Sequence, residues 1–210
     1  MNKNKLEKTF KYKRLTISIH KEVYDPAEDT FLLLDSLIIK PGDRVFEIGT
    51  GCGIIGLYCA TIGADVLCCD INPFAVELVK KNYQQNLKLL KGNFEVRIGD
   101  IFSVLNKEDL FDIIVFNPPY LPTSFQDLVG GSGWFDKSVD GGTDGLNTTK
   151  RFIESVSNYL KKDGCAYFIF SSLSDRKKLN KIINQTYLNK TIISSKKFND
   201  EQLDVYCLKK

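Results

Sequence analysis

The sequence predicts an α/β fold, a Rossmann-like, seven-stranded and mostly parallel sheet with helices on both faces. Three observations carry that expectation. From residue 44 onward, short runs rich in β-branched and aromatic residues alternate with stretches of helical periodicity. The first run opens into a glycine loop, EIGTGCGIIG over 47–56. The second ends at an acid, Asp70, as half of a nucleotide-binding βαβ unit does.

The strands are expected at RVFEI (44–48), DVLCC (65–69), FEVRI (94–98), DIIVF (112–116), CAYFIF (165–170), TIISS (191–195) and LDVYCLK (203–209). Helical patterns fill the gaps at 53–62, at 73–87 with Pro73 in the first turn, at 145–161 and at 174–186. Ahead of the first strand, YDPAEDTFLLLDSL reads as a helix opened by Asp25 and Pro26, apolar from Phe31 to Leu37, and placed to lid a site. Residues 1–23 read as a basic N-terminal extension and 24–210 as one domain. The glycine-rich stretch 121–144 holds the only tryptophan, Trp134, and is too long for a plain connector.

Composition narrows the function classes. With 43% hydrophobic and 26% charged residues the chain can bury a core, which argues against disordered, collagen-like and membrane classes. A net charge of +3 does not suggest a dedicated nucleic-acid binder, although six of the first 14 residues are Lys or Arg. The six cysteines form no CxxC pair and sit mostly in apolar runs, as expected of a reduced, cytoplasmic protein. The N-terminus lacks the apolar segment of a signal peptide, and no run is long enough to span a membrane. One histidine, His20, leaves little room for histidine catalysis; it reads as structural, and no metal site is assigned.

The glycine loop leaves two readings open. Gly51, Gly53 and Gly56 spell the GxGxxG of a dinucleotide fold, with Asp70 at the expected distance. Against this, Glu47 sits inside the end of the first strand, two residues before Gly49, where it can meet a cationic group. A further acid, Asp100, follows the third strand in RIGDIF, where it can accept from an adenine amino group while Ile101 packs on the ring.

The loop after the fourth strand, FNPPYLPT, is the sharpest signal. Two consecutive prolines remove two backbone donors and end the strand. Asn117 can accept an N–H through its side-chain oxygen, the carbonyl of Pro118 can accept a second, Pro119 stiffens the turn, and Tyr120 offers a flat face to a planar group. Such a set orients an NH2 group whose lone pair is delocalised.

With ExGxGxG and the acids Glu47, Asp70 and Asp100, the chain resembles the class I S-adenosylmethionine-dependent methyltransferases, and NPPY is the signature of those that methylate amino groups. VYDPAEDTFLLLDSL, EIGTGCGIIG, CCDINPFAV and FNPPYLPT together resemble the HemK family of glutamine methyltransferases, in its short archaeal and eukaryotic branch. The resemblance implies S-adenosylmethionine as cofactor, bound by Thr30, Glu47, Gly49, Gly51, Gly53, Asp70, Asp100, Ile101 and Asn117. It implies catalysis by Asn117, Pro118 and Tyr120, and substrate binding by the same three residues together with Pro119. The implied substrate is the glutamine of the GGQ loop of a class I translation release factor, and the implied partner a small Trm112-like zinc-binding activator. It further implies the strand order 3-2-1-4-5-7-6, with FEVRI at an open edge. The loop departs from the family pattern, because Trp134 stands several residues ahead of Gly141 and Gly142. Two rivals share these residues. A nucleic-acid amino-methyltransferase would need a recognition surface for phosphates and a flipped base. A noncatalytic scaffold would not need Asn117 and all three acids.

Overall fold

The structure, a computed structural model, describes residues 8–122, 133–198 and 200–210. Residues 1–7 of the basic N-terminus and 123–132 of the glycine-rich stretch lie outside the described residues. The chain begins with a hairpin, β1 (Thr9–Tyr12) and β2 (Leu15–Ser18), followed by α1 (Glu28–Ser36). Alternation then sets in: β3 (Arg44–Ile48), α2 (Ile54–Ile62), β4 (Asp65–Asp70), α3 (Pro73–Asn86), β5 (Phe94–Ile98) and β6 (Phe111–Phe116). The second half holds α4 (Trp134–Val139), α5 (Asn147–Val156), β7 (Leu160–Ser171), α6 (Arg176–Asn184), β8 (Asn189–Phe198) and β9 (Glu201–Lys209).

Strands β3 to β9 make one sheet in the order β5-β4-β3-β6-β7-β9-β8, the order implied by the resemblance. The pairs from β5 through β7 are parallel, and β9 runs antiparallel between β7 and β8. Helices on both faces explain why the central strands are apolar without alternation: Val45 through Ile48 are all buried, as are Ile113 through Phe116. One core layer gathers Leu57, Cys59, Ala60, Val115 and Ile169; the other is built around Phe46, Phe116, Phe152 and Phe168. The cysteines are free, all but Cys165 buried, and behave as small apolar residues.

Local chemistry sets the element ends. Asn72 caps α3 by accepting the Phe74 N–H at 2.9 Å, and Pro73 fills its first position. Asp175 caps α6, so that helix starts at Arg176 rather than at 174. The helix expected over 145–161 stops at Val156, because a single 3₁₀ turn (Ser157–Tyr159) delivers Leu160 into the sheet beside Phe111. The helix expected from Asp25 starts at Glu28.

The basic stretch before Tyr24 contains structure that its charge concealed. Leu15 and Ile17 are buried in the core, and β2 is fastened to α3 by two asparagines one helical turn apart. Asn86 accepts the Thr16 N–H and donates to the Thr16 carbonyl, at 2.9 and 2.8 Å. Asn82 treats Ser18 likewise, at 2.9 and 3.0 Å, and donates to the Cys52 carbonyl in the glycine loop at 2.8 Å. The amides thus complete a strand edge that has no strand neighbour on that side among the described residues. At the far edge of the large sheet, β5 pairs, among the described residues, only with β4 and leaves Ile98 exposed.

Asn82 carries three hydrogen bonds in a fully buried setting. Asn82→Ala should lower the unfolding free energy by about 2–4 kcal/mol, since it strands backbone groups of Ser18 and Cys52. Lys80→Ala, which breaks an exposed pair with Glu77, should change it by less than about 0.5 kcal/mol. Urea unfolding of the two variants beside the parent checks both.

Candidate active site

The carboxyl ends of β3, β4, β5 and β6 open into a cleft, the position at which open α/β sheets bind ligands. Its two lobes meet at Gly49, Asn117 and Ser138, which line both. Tyr24, Asp29, Thr30, Glu47, Gly51, Pro118 and Tyr120 belong to one lobe. Asp70, Asp100, Ile101, Pro119 and Arg151 belong to the other.

The first lobe is organised by Asp29, a side chain that the sequence reading did not single out. Its carboxylate, only 3% exposed, receives five donors. The Thr30 N–H (2.6 Å) and hydroxyl (3.1 Å) reach Oδ1. The Asn117 amide (3.0 Å) and the hydroxyls of Tyr24 and Tyr120 (3.2 Å each) reach Oδ2. A carboxylate only accepts, so it compels Asn117 to present Nδ2 to it and to turn Oδ1 the other way. That Oδ1 is buried and accepts nothing from the described residues. A buried acceptor left this way costs free energy until a donor arrives. Burial, and then the charge of Asp29, push both tyrosine hydroxyls well above the ordinary phenol range, so they stay neutral donors. The Tyr120 backbone is also held, its carbonyl accepting the Ser174 hydroxyl at 2.6 Å.

Glu47 lies beneath the glycine loop, 3% exposed. Its Oε2 accepts the Thr50 hydroxyl (2.7 Å), the Gly56 N–H (3.0 Å) and the Cys68 thiol (3.2 Å), all uncharged donors. Burial raises its carboxyl to about 7 despite these bonds. The Gly56 N–H lies in the first turn of α2, so Glu47 uses an orphan helix donor that a pyrophosphate would otherwise take. This disfavours the dinucleotide reading of GxGxxG. Gly56 is required by crowding: a Cβ there would stand 2.6 Å from Cys68 Sγ and 2.7 Å from Glu47 Oε2.

In the second lobe, Asp70 accepts the N–H groups of Gly51 and Asn72, at 2.9 Å each. Burial raises its carboxyl, and these backbone donors pull it back. Ile101 adopts a left-handed φ of 51°, uncommon and strained for a β-branched residue, and its side chain is buried at the lobe wall. Asp100 does not stand alone. Arg151 on α5 grips its carboxylate from both nitrogens, at 2.6 and 3.4 Å.

Eleven of the residues singled out from sequence therefore share one cleft: Thr30, Glu47, Gly49, Gly51, Asp70, Asp100, Ile101, Asn117, Pro118, Pro119 and Tyr120. Gly53 lies behind it, capping α2 at a left-handed φ of 81°, where a Cβ would stand 3.0 Å from a Val79 methyl. Tyr24, Asp29, Ser138 and Arg151 are among the lining side chains that the sequence reading missed. A signal for Asp29 existed: it falls one turn before Leu33, as Thr30 does before Leu34, so both polar residues sit on the buried face of α1. Nothing in the sequence joins Arg151 to Asp100, 51 positions earlier.

The model of the family described as "Methyltransferase small domain" matches residues 20–128. A putative protein N5-glutamine methyltransferase of Methanocaldococcus jannaschii is 41% identical over 170 residues, covering 80% of this chain and 82% of its own length. The human methyltransferase HEMK2 is 31% identical over 194 residues, covering 88% of each chain. Among solved structures, the E. cuniculi Mtq2–Trm112 complex, described as responsible for methylation of the eRF1 translation termination factor, aligns with a TM-score of 0.66 at 22% identity. That alignment covers 90% of this chain and 99% of the other. The fold, the cleft and these relatives agree, and the chain belongs to the HemK family of S-adenosylmethionine-dependent glutamine methyltransferases.

Proposed function

We propose that this protein methylates the side-chain amide nitrogen of the glutamine in the GGQ motif of a class I release factor, in the cytoplasm, with a Trm112-like subunit on the β5 edge. The observation that carries the reading is the orphaned Asn117 Oδ1, held in place by Asp29 and flanked by Pro118 and Tyr120. The partner rests on the free β5 edge, which offers unpaired backbone groups to an added strand.

The residues present fit the cofactor. Glu47, buried among neutral donors, suits a cationic amine or sulfonium; Asp70, beside Gly51, suits ribose hydroxyls; Asp100 and Ile101 suit an adenine edge and face. Thr30 and Gly49 line the passage toward Asn117. When bound, S-adenosylmethionine supplies a methyl group activated by a positive sulfonium. The protein's task is then to orient a weakly nucleophilic nitrogen. Asn117 Oδ1 accepts one amide N–H, and the Pro118 carbonyl accepts the other. Both acceptors stabilise the positive charge that grows on the nitrogen as its lone pair leaves amide conjugation, and the methylated nitrogen returns to a neutral amide by releasing one of its two protons to water. Rigid placement of this kind lowers a barrier by up to roughly 7–11 kcal/mol in favourable cases. The neutral hydroxyl of Tyr120, fixed by Asp29, keeps its ring beside the planar group.

Methyl transfer from labelled S-adenosylmethionine to a release factor, with and without a Trm112-like subunit, tests the reading; a GGA variant of the factor, RNA and DNA serve as controls. Label confined to the GGQ factor is expected, and label on nucleic acid alone would sink the proposal. Asn117→Ala should lower kcat by about 10²–10³. Asp29→Asn should lower kcat at least tenfold, roughly, with KM little changed, because an amide at position 29 can donate to Asn117 and turn it around.

Glu47 makes a separate prediction. Its carboxyl titrates near 7 in the folded protein against an ordinary value of 4.5, so between these values the folded chain holds a proton that the unfolded chain has lost. The stability this provides is complete below about 4.5 and is lost as pH rises through about 7. Ligand-free protein should therefore lose about 3 kcal/mol from this group over that interval, and Glu47→Gln should remove that part of the slope. Affinity for the cationic cofactor should rise over the same interval in the parent and stay flat in the variant, as calorimetry across pH would show.

A further inference from the structure

The pair between Asp100 and Arg151 crosses the mouth of the second lobe, with side chains 40% and 58% exposed. An ion pair that open to water adds at most about 1 kcal/mol to folding, so stability does not account for its geometry. The surroundings fix both partners. The Asp100 N–H donates to the Ser103 hydroxyl at 2.8 Å, and the next residue is the strained Ile101. On the other side, Phe152 is buried between Phe102 and Phe116, at ring distances of 6.0 and 5.3 Å. Those ring contacts, one stacked and one tilted, hold α5, and Arg151, one position earlier, reaches Asp100 at the start of the 100–103 turn. The same aromatic packing therefore sets the base of Asp100 and the base of Arg151.

We infer that Arg151 is a positioning residue for base recognition: its two-pronged grip fixes the plane of the Asp100 carboxylate so that a free lone pair faces an exocyclic amino group. The inference rests on the cofactor reading above and deepens it. A carboxylate has about four acceptor positions, and a guanidinium fork takes one on each oxygen. The remaining positions lie in the same plane, now at a set angle. An adenine amino group donates into that plane. A hypoxanthine ring presents a carbonyl oxygen at that position, which the carboxylate repels. Without the fork, Asp100 is free to rotate and to be hydrated, and the distinction weakens. A lysine keeps the charge but not the fork.

Calorimetric binding of S-adenosylhomocysteine and of S-inosylhomocysteine, to the parent and to Arg151→Ala, Arg151→Lys and Asp100→Asn, tests this. The parent should bind the adenosyl compound at least about tenfold more tightly, the worth of one hydrogen bond to a charged group. Arg151→Ala should lose most of that preference through weaker adenosyl binding alone, and Arg151→Lys should not restore it. Asp100→Asn should lose the preference too. Thermal melts should leave the Arg151 variants near the parent, since the pair is exposed. Equal weakening of both ligands in Arg151→Ala, or an unchanged preference, would overturn the inference. Failure of the parent to bind either compound would instead overturn the cofactor reading.

Discussion

One buried carboxylate, that of Asp29, gives the acceptor side of the cleft its form. Five hydrogen bonds converge on its two oxygens, from α1 itself, from the segment before it and from the loop after β6. Burying a charge is costly unless it is fully bonded, and here the bonds come from the groups that must be held still. The arrangement settles an ambiguity that an asparagine always carries, namely which end of its amide is oxygen. With Nδ2 committed to Asp29, the oxygen of Asn117 is the end left without a donor. That polarity is the one the proposed role of Asn117 requires, and the fold sets it in advance through Asp29.

Getting Asp29 to that place is the work of the N-terminal segment. The hairpin is fastened to α3 by Asn82 and Asn86, and the chain after it by Asn72, which donates to the Glu22 carbonyl at 2.7 Å. Asn72 also gives its N–H to Asp70, and Asn82 reaches the carbonyl of Cys52 in the glycine loop. One set of amides thus joins the segment from Thr16 to Glu22 to both Asp70, at the end of β4, and the loop beneath the cleft. The segment is part of the site's support even where it contributes no lining side chain.

Electrostatics divide the cleft into three settings for a carboxylate. Glu47 is buried among neutral donors and is raised; Asp70 is buried and raised against the pull of backbone N–H groups; Asp100 is half in water and gripped by a guanidinium. The three acids look equivalent in the sequence, each at or just beyond the carboxyl end of a strand. Their environments differ because β3 is central in the sheet, β4 lies one strand out and β5 is the edge, so solvent access grows in that order. The proposed contacts to a cationic group, to hydroxyls and to a base follow the same gradient.

What the sequence determined by itself is the scaffold and its chemical vocabulary. Apolar runs of β-branched and aromatic residues, punctuated by Asn72-Pro73 and by the glycine loop, dictate seven strands and their crossovers through local physics. ExGxGxG and NPPY carry their chemistry in adjacent residues, so Glu47 and Asn117 were legible without coordinates. What only the tertiary structure decided are the relations between distant residues. Asp29 lies 88 positions from Asn117, and Arg151 lies 51 from Asp100. The hairpin hid for a different reason: Leu15 and Ile17 are short signals inside a basic stretch, and the partners that finish their strand are asparagines on a helix. Periodicity and motif report on neighbours along the chain, whereas hydrogen-bond partners for buried polar groups are assigned by packing, which is known only once the sheet has brought its strand ends together.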